Sequence, residues 1–248
     1  METKNNFQGK KAVVTAASTG IGRAISVALA TRGARIALVA RSIDGLKRTQ
    51  ELIEEKGGTA EIFSVDLRDK QAIDKFAQKV LEKWVDIDFI VNAAGVWHNK
   101  KIIYANVPLS ETPEDQINEV LEVGITAPIL LTRKFLPTMI KNKRGKILQI
   151  SGTFEDGASG WLHYYVSKKA IEHFTVGLSE ELRPHQIQVN AISPSDTYTE
   201  AYQRFFTTSI EQECIKPEDV ANLAIFLLSE AADNITGQII TIKSKFAR

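Results

Sequence analysis

Tyr164 and Lys168 lie four positions apart in a stretch with helical periodicity, so their side chains share one helix face. A free phenol has a pKa near ~10, which is too high for ready proton transfer at neutral pH. A nearby ammonium favours the phenolate and lowers that pKa. The pair therefore predicts a group that can give and take a proton. Tyr165 and Lys169 repeat the same spacing one residue later.

A short glycine-containing turn follows the first apolar run of the chain and precedes an amphipathic stretch. Glycine at a strand-to-helix turn lets the backbone approach a pyrophosphate closely, and the helix N-terminus offers free N–H groups. The turn therefore predicts a phosphate site, although an ordinary turn with two glycines is the alternative. The expected contacts are Ser18, Thr19, Gly20, Ile21 and Gly22.

Arg41 follows the second apolar run, where an acidic residue would bind the 2′-hydroxyl of an adenosine ribose. A guanidinium instead offers a fork of charged donors that suits a 2′-phosphate. Arg41 therefore predicts NADP(H) as the cofactor. The alternative is a solvated surface arginine.

These residues need a scaffold, and the chain supplies one in which short apolar runs alternate with longer amphipathic stretches. This order is typical of parallel strands joined by right-handed helical crossovers. We predict one α/β domain over residues 1–248: a doubly wound, parallel, seven-stranded Rossmann-like sheet with helices on both faces. Pro128 and Pro137 are expected to bend or interrupt the helical stretch that contains them. The predicted strands are 11–16, 35–40, 60–65, 87–92, 146–151, 187–193 and 238–242, and the predicted helices 20–32, 43–56, 69–84, 113–140, 162–182 and 217–228.

Composition excludes several function classes. The formal net charge is +1, which argues against a nucleic-acid surface or a polybasic membrane anchor. The single cysteine, Cys214, permits no intramolecular disulfide and no cysteine metal cluster, and we expect no metal site. The N-terminus lacks the apolar core of a signal peptide, and no apolar run approaches the ~18 residues that span a bilayer. We therefore expect a cytoplasmic protein.

Several motifs, in the right order and spacing, resemble those of the short-chain dehydrogenase/reductase family over nearly the whole chain. The turn at 15–22 resembles its T-G-x-x-x-G-x-G motif, and residues 164–170 resemble its Y-x-x-x-K segment. The Ser-Lys-Lys-Ala context favours Tyr164 and Lys168 over the shifted pair. The resemblance implies hydride transfer between NADP(H) and a carbonyl or alcohol, with Tyr164 exchanging the proton and Lys168 also holding the nicotinamide ribose.

The resemblance implies further site residues. Asp66 and Leu67 match the adenine-contacting pair, although Asp66 could instead cap the next helix. The run 92–95 resembles N-N-A-G and implies cofactor contacts from Asn92, Ala93 and Gly95.

Two hydroxyl residues are ambiguous. Thr199, in a segment resembling P-G-x-x-x-T, could contact the cofactor or cap a helix. The catalytic serine is Ser151 by its spacing to Tyr164, but aligning the strand puts Gly152 in that position, with Thr153 as a possible substitute hydroxyl. We favour Ser151.

The chain also departs from the family pattern. Ala16 replaces the first glycine, and a positive φ there would cost alanine about 1 kcal/mol. Gly124 replaces an asparagine that helps to relay protons to the lysine, and Ser195 replaces a glycine. Lys243-Ser244-Lys245 replaces the usual Asp-Gly-Gly.

These departures leave two hypotheses: an active oxidoreductase, or a catalytically weak or inactive dinucleotide-binding regulatory protein on the same fold. We favour the enzyme. A short substrate lid is expected at about 196–215, where Tyr202, Phe205 and Phe206 either line an apolar pocket or simply pack. The family resemblance also implies a homodimer or homotetramer.

Overall fold

The computed structural model describes residues 6–99, 101–154, 157–207 and 211–245. Its strands are β1 (Lys11–Thr15), β2 (Arg35–Ala40), β3 (Thr59–Ser64), β4 (Phe89–Asn92), β5 (Gly145–Ile150), β6 (Ile187–Pro194) and β7 (Ile239–Ile242). These seven strands form one sheet in the order β3-β2-β1-β4-β5-β6-β7, and every neighbouring pair is parallel. The predicted fold class is confirmed.

Helices cover both faces of the sheet because alternate strand residues point to opposite sides. The helices are α1 (Gly20–Ala30), α2 (Ile43–Glu54), α3 (Lys70–Trp84), α4 (Glu114–Leu121), α5 (Ala127–Asn142), α6 (Leu162–Leu182), α7 (Glu200–Phe205) and α8 (Pro217–Leu228). Ala12 and Val14 pack in a cluster with α1, α2 and α8, whereas Val13 packs in a cluster with α3, α5 and α6.

The long helix expected at 113–140 is irregular directly before Pro128, as predicted, but not at Pro137. Its break is the π-helical segment Glu122–Thr126, which joins α4 to α5. Pro128 follows this segment in continuous helical backbone, and its missing N–H leaves the carbonyl of Gly124, inside the segment, without its usual donor. Pro137 lies inside α5 at an exposed position, so solvent can reach the backbone beside it.

The parallel topology brings the carboxyl ends of β1 to β6 to one edge of the sheet, where ligands of such sheets bind. Within the expected lid, the structure describes α7 and a short turn at Glu211–Glu213. Residues 208–210 of that segment lie outside the described residues.

Candidate active site

The turn after β1 has the geometry expected of a phosphate loop. Ala16 has a φ of 52°, so the alanine adopts the strained left-handed conformation that the sequence analysis considered for this position. A side chain at Gly22 would collide with the carbonyl oxygen of Ala16. Glycine at 22 therefore lets the start of α1 fold tightly back against the end of β1.

A carboxylate binds at this turn. Glu200, the first residue of α7, accepts hydrogen bonds from Thr19 Oγ1 at 2.7 Å and from the Gly20 N–H at 3.1 Å. Arg23 Nη1 lies 2.6 Å from the other oxygen of Glu200. The pKa of the Glu200 carboxyl is lowered: its hydrogen bonds and Arg23 outweigh the opposing effect of burial. The turn thus accommodates an anion.

A network of charges lies where β2 and β3 end. Arg41 Nη1 and Arg68 Nη1 each lie 3.3 Å from the same oxygen of Glu119, on α4. Arg68 also binds Asp66 through Nη2 at 2.6 Å and Nε at 3.0 Å, and this hydrogen bonding lowers the pKa of Asp66. The N-cap of α3 is Asp69, so the helix-cap alternative for Asp66 is wrong. Leu67 is buried in the core.

The end of β4 approaches the reacting groups. Thr15 Oγ1 accepts hydrogen bonds from the N–H groups of Ala93 and Ala94 at 3.0 and 3.1 Å, which fixes this loop against β1. Asn92 is buried and donates to Thr132 Oγ1 at 3.2 Å. A Cβ on Gly95 would lie 2.9 Å from Lys168 Nζ, so the absence of a side chain there makes room for the lysine.

Tyr164 and Lys168 lie together beside Gly95. Lys168 Nζ is 5.4 Å from the centre of the Tyr164 ring and donates to the Ile150 carbonyl at 2.9 Å. The shifted pair lies elsewhere, since Lys169 Nζ donates to Glu172 at 2.9 Å.

The pKa values of the reacting pair differ from expectation. Burial lowers the pKa of Lys168 to about 8, against the smaller opposing effect of Glu172. Burial also raises the pKa of the Tyr164 phenol, and the Asp196 carboxylate adds to that rise. The sequence led us to expect a lowered tyrosine pKa. The expectation is wrong for this structure because desolvation of the phenolate outweighs the attraction of a lysine whose ammonium is itself disfavoured.

Ser151 does not direct its hydroxyl to Tyr164. Its Oγ donates to Glu172 Oε1 at 2.7 Å and lies 3.2 Å from the Lys168 carbonyl oxygen. A Cβ on Gly152 would instead have the Lys168 side chain as its nearest neighbour, at 4.0 Å. Thr153 lines a cavity with Lys169 and Glu172. This geometry favours the strand alignment, which puts Gly152 beside the lysine, and a catalytic role for Ser151 stays a prediction.

The segment after β6 holds the lid. Thr199 caps α7 by accepting a hydrogen bond from the Tyr202 N–H at 3.1 Å, so its helix-cap reading is confirmed. Its methyl group limits the space at Gly20, where a Cβ would lie 3.0 Å away. The Ser195 hydroxyl is buried without a hydrogen-bond partner. Tyr202 donates through its hydroxyl to Asp196 at 2.9 Å.

Aromatic rings surround Tyr164, and two of them escaped the sequence analysis. The rings of Phe154 and Trp161 have centres 5.8 and 6.0 Å from that of Tyr164. Trp97 lies 6.5 Å from Trp161 and 5.9 Å from Phe205 of α7. The signal was present, because Phe154 and Trp161 flank the predicted strand and helix that carry the reacting groups. We call Trp97, Phe154, Trp161 and Phe205 the aromatic wall.

Other site types are absent from the part of the chain that the structure describes. It contains no cluster of three or more histidine, cysteine or acidic side chains that could hold a metal ion. None of its helices combines the length and the apolar character that a membrane crossing requires.

Comparison with known proteins decides the family. The family model of short chain dehydrogenases matches residues 10–209. The chain belongs to the short-chain dehydrogenase family. The 3-oxoacyl-acyl-carrier-protein reductase of Aquifex aeolicus is 32% identical, over 98% of both chains. The 7alpha-hydroxysteroid dehydrogenase of Escherichia coli is 29% identical, over 95% of this chain and 93% of its own.

Solved structures agree with this assignment. A short chain dehydrogenase of Burkholderia cenocepacia in complex with NADP superposes with a TM-score of 0.83 at 28% identity, over 96% of this chain and 98% of its own. A 7alpha-hydroxysteroid dehydrogenase complexed with NADH and 7-oxo glycochenodeoxycholic acid gives 0.88 at 27% identity, over 100% and 98%. This short-chain dehydrogenase therefore has relatives that hold either dinucleotide.

Two glycines distinguish this short-chain dehydrogenase from the pattern described above. Gly152 brings no hydroxyl to Lys168. Gly124, in the π-helical segment, faces Ser167 so closely that a Cβ would lie 3.0 Å from both Ser167 Cβ and Oγ. Close packing of the π-helical segment on α6 thus occupies the space that an asparagine would need.

Proposed function

We propose that this short-chain dehydrogenase is an NADP(H)-dependent oxidoreductase that interconverts a carbonyl and an alcohol, with Tyr164 as the proton donor and acceptor. The observation that carries the proposal is the meeting of Tyr164 and Lys168 at Gly95. A Cβ on Gly95 would lie 2.9 Å from Lys168 Nζ and 3.8 Å from Tyr164 Cε2. Both groups therefore border the sheet edge where ligands of this fold bind.

The described residues fit a dinucleotide. The turn at Thr19 and Gly20 already holds a carboxylate, so it can hold a pyrophosphate through the same donors. Arg41 has an exposed guanidinium at the end of β2, where a 2′-phosphate would lie, and this supports NADP(H) over NAD(H). When bound, the cofactor supplies or accepts the hydride. The remaining cofactor contacts of the sequence analysis, including Asp66 and Asn92, belong to the same proposal.

The protein's own groups handle the proton. In reduction, the O–H bond of Tyr164 breaks as the carbonyl oxygen gains that proton, while the carbonyl carbon gains a hydride. The phenolate then recovers a proton from solvent, with the Lys168 ammonium stabilising the negative charge. Oxidation reverses these steps. The raised pKa of the Tyr164 phenol means that the group is protonated at neutral pH, which is the form that donates in reduction.

The aromatic wall supports a preference for substrates with a flat, apolar body. Trp97 and Phe205 lie edge to face, 5.9 Å apart, in a region that also holds the Tyr164 ring. Aromatic rings gain from stacking on flat apolar ligands and offer little to a polyol. We therefore expect aryl or polycyclic ketones to be reduced faster than sugar ketones.

The test is consumption of NADPH against a panel of aryl, polycyclic, straight-chain and sugar ketones. Tyr164→Phe should lower kcat by about 1,000-fold, within the range for loss of a general acid, while NADPH still binds. Tyr165→Phe removes the neighbouring hydroxyl and is the matched control, with an expected change of less than about twofold. Equal rates for Tyr164→Phe and the unmodified protein would refute the mechanism.

A second candidate function rests on Gly152 and Gly124. Neither position can supply a side chain to the reacting groups, which favours a weakly active or inactive dinucleotide-binding regulatory protein. NADPH binding without turnover of any ketone in the panel would support this candidate.

We also propose a homodimer or homotetramer in the cytoplasm. Val166 and Val176 of α6 are partly exposed apolar side chains, 44% and 37% accessible, that a second copy could cover. A monomeric mass at micromolar concentration in sedimentation would contradict the oligomer.

A further inference from the structure

We infer that Glu200 sets the affinity for the cofactor, because its carboxylate occupies the anion site that the phosphates of a dinucleotide must use. The inference rests on the proposed binding of a dinucleotide but not on catalysis. Glu200 is the first residue of the lid helix α7, and its partners lie about 180 residues earlier in the chain.

The contacts are those of a bound anion. Three donors converge on the carboxylate: a hydroxyl, a backbone N–H at the start of α1, and the guanidinium of Arg23 at 2.6 Å. Charge-assisted bonds of this kind are roughly twice as strong as neutral ones, and the helix N-terminus favours negative charge. A phosphate at this turn would use the same donors, so the two anions exclude each other.

Arg23 is held ready for either anion. Its Nη2 also donates to the Ser18 carbonyl, and its Nε donates to Thr49 Oγ1 at 3.1 Å. These two bonds do not involve Glu200, so the guanidinium keeps its place when the carboxylate leaves. Displacing the Glu200 carboxylate therefore breaks only its own hydrogen bonds and its ion pair with Arg23.

The displacement is energetically modest. The Glu200 side chain is 51% exposed, so solvent screens its ion pair and offers an alternative partner. A ligand that competes with an internal group binds more weakly by the fraction of molecules in which the site is open. We expect removal of the carboxylate to tighten cofactor binding about three- to tenfold.

The same helix links cofactor to substrate. At the other end of α7, Phe205 packs on Trp97 and lies 5.1 Å from His98. Release of Glu200 frees the first residue of a six-residue helix whose last residue belongs to the aromatic wall. Cofactor binding should therefore loosen the wall before substrate enters.

The experiment is calorimetric titration of Glu200→Gln with NADPH and with NADH, beside thermal unfolding of each protein without ligand. Both dinucleotides should bind about three- to tenfold tighter, because the pyrophosphate is common to them. The ligand-free variant should unfold at a lower temperature, because α7 has lost its ion pair with Arg23 of α1. A merely structural role would not tighten binding.

Two further variants make the result specific. Glu211→Gln removes the same charge from the lid, but its partner is Lys216, so its affinities should match the unmodified protein. Glu200→Asp keeps the charge on a shorter side chain and should tighten binding as Glu200→Gln does; it also serves if that variant fails to fold.

Several outcomes would overturn the inference. Unchanged or weaker binding in both Glu200 variants would do so, as would equal tightening in Glu211→Gln, or no dinucleotide binding by any of the proteins. Absence of turnover with tighter binding would leave the inference standing and count against the proposed oxidoreductase alone.

Discussion

The cofactor side and the reacting side of this molecule differ in how far their ionisable groups are exposed to solvent. On the cofactor side, around the ends of β1, β2 and β3, charged groups are at least partly exposed and paired, as in Arg41 with Glu119 and Arg68 with Asp66. On the reacting side, Lys168 and Tyr164 are desolvated, and burial shifts both pKa values toward the neutral forms. The cofactor side is thus built from ion pairs that can exchange partners, and the reacting side from groups that burial keeps away from water.

The two sides also differ in how closely they follow the family pattern. The phosphate turn keeps its shape even with Ala16 in a left-handed conformation. The reacting side has glycine at 124 and 152, where the family supplies side chains. The departures themselves lie on different elements: Ala16 follows β1, whereas the two glycines lie in the π-helical segment and after β5.

The largest expected effect tests whether burial sets the pKa of Lys168 on the reacting side. Lys168 has a pKa of about 8 in the folded chain against an ordinary 10.5, so between these values the unfolded chain binds more protons. Stability therefore rises with pH over that window, by up to about 3 kcal/mol. The free energy of unfolding is measured in urea from pH 7.5 to 10. As the pH rises, it should increase more for the unmodified protein than for Lys168→Met. Lys169→Met is the control for loss of a cation. If the unmodified protein gained as much stability relative to Lys169→Met, burial of Lys168 would not explain the effect.

Restoring a hydroxyl to the reacting side is expected to raise kcat. Gly152→Ser should place an O–H donor beside Lys168, where a Cβ has 4.0 Å of clearance, and increase ketone reduction about tenfold. The assay is steady-state NADPH oxidation with the best ketone of the panel. Ser151→Ala is the matched control, since the Ser151 hydroxyl already bonds Glu172, and its kcat should stay within about twofold. A large loss in Ser151→Ala with no gain in Gly152→Ser would reinstate Ser151.

A substitution on the cofactor side should change the preference for NADPH over NADH and leave the rate of the chemical step unchanged. Arg41→Ala should reduce the ratio of NADPH to NADH affinity by about tenfold, because a charge-assisted pair to the 2′-phosphate is lost. Arg48→Ala is the control: its side chain is 57% exposed against 56% for Arg41, and it pairs with Glu51 on α2. Fluorescence titration of both nucleotides measures the ratio. An unchanged ratio in Arg41→Ala would remove Arg41 from the cofactor site.

The smallest expected effect concerns the backbone of the phosphate turn. Ala16→Gly should stabilise the fold by up to about 1 kcal/mol, because glycine adopts a φ of 52° without strain. Ala17→Gly, at a buried neighbouring position without positive φ, should destabilise it. Urea unfolding measures both. Destabilisation by Ala16→Gly would mean that the alanine is not strained.

Periodicity predicted the sheet because the buried strands are apolar throughout and the helices amphipathic. It did not show that the break is the π-helical segment at Glu122–Thr126, because a single extra residue in a short stretch is hard to tell from ordinary variation in the apolar pattern. Pro128 did mark the place of the break, because its missing N–H and its ring disturb the turn that contains Gly124.

The candidate site was less predictable than the fold. Spacing brought Tyr164 and Lys168 together correctly, but a one-residue difference in loop length left Ser151 and Gly152 unresolved, and only coordinates show which faces the lysine. The contact of Glu200 with Thr19 joins residues 181 positions apart, and no local sequence pattern predicts it. The raised pKa of Tyr164 depends on burial, which the sequence does not report.

The two glycines of the reacting side differ in how easily mutation could reverse them. Gly152 has open space before it, so a single substitution can reinstate a functional group. Gly124 lies against Ser167, and a side chain there would force α6 and the π-helical segment apart by a few tenths of an ångström or more. Recovery of a functional side chain by mutation is therefore easier at position 152 than at position 124, where Ser167 must shift to make room.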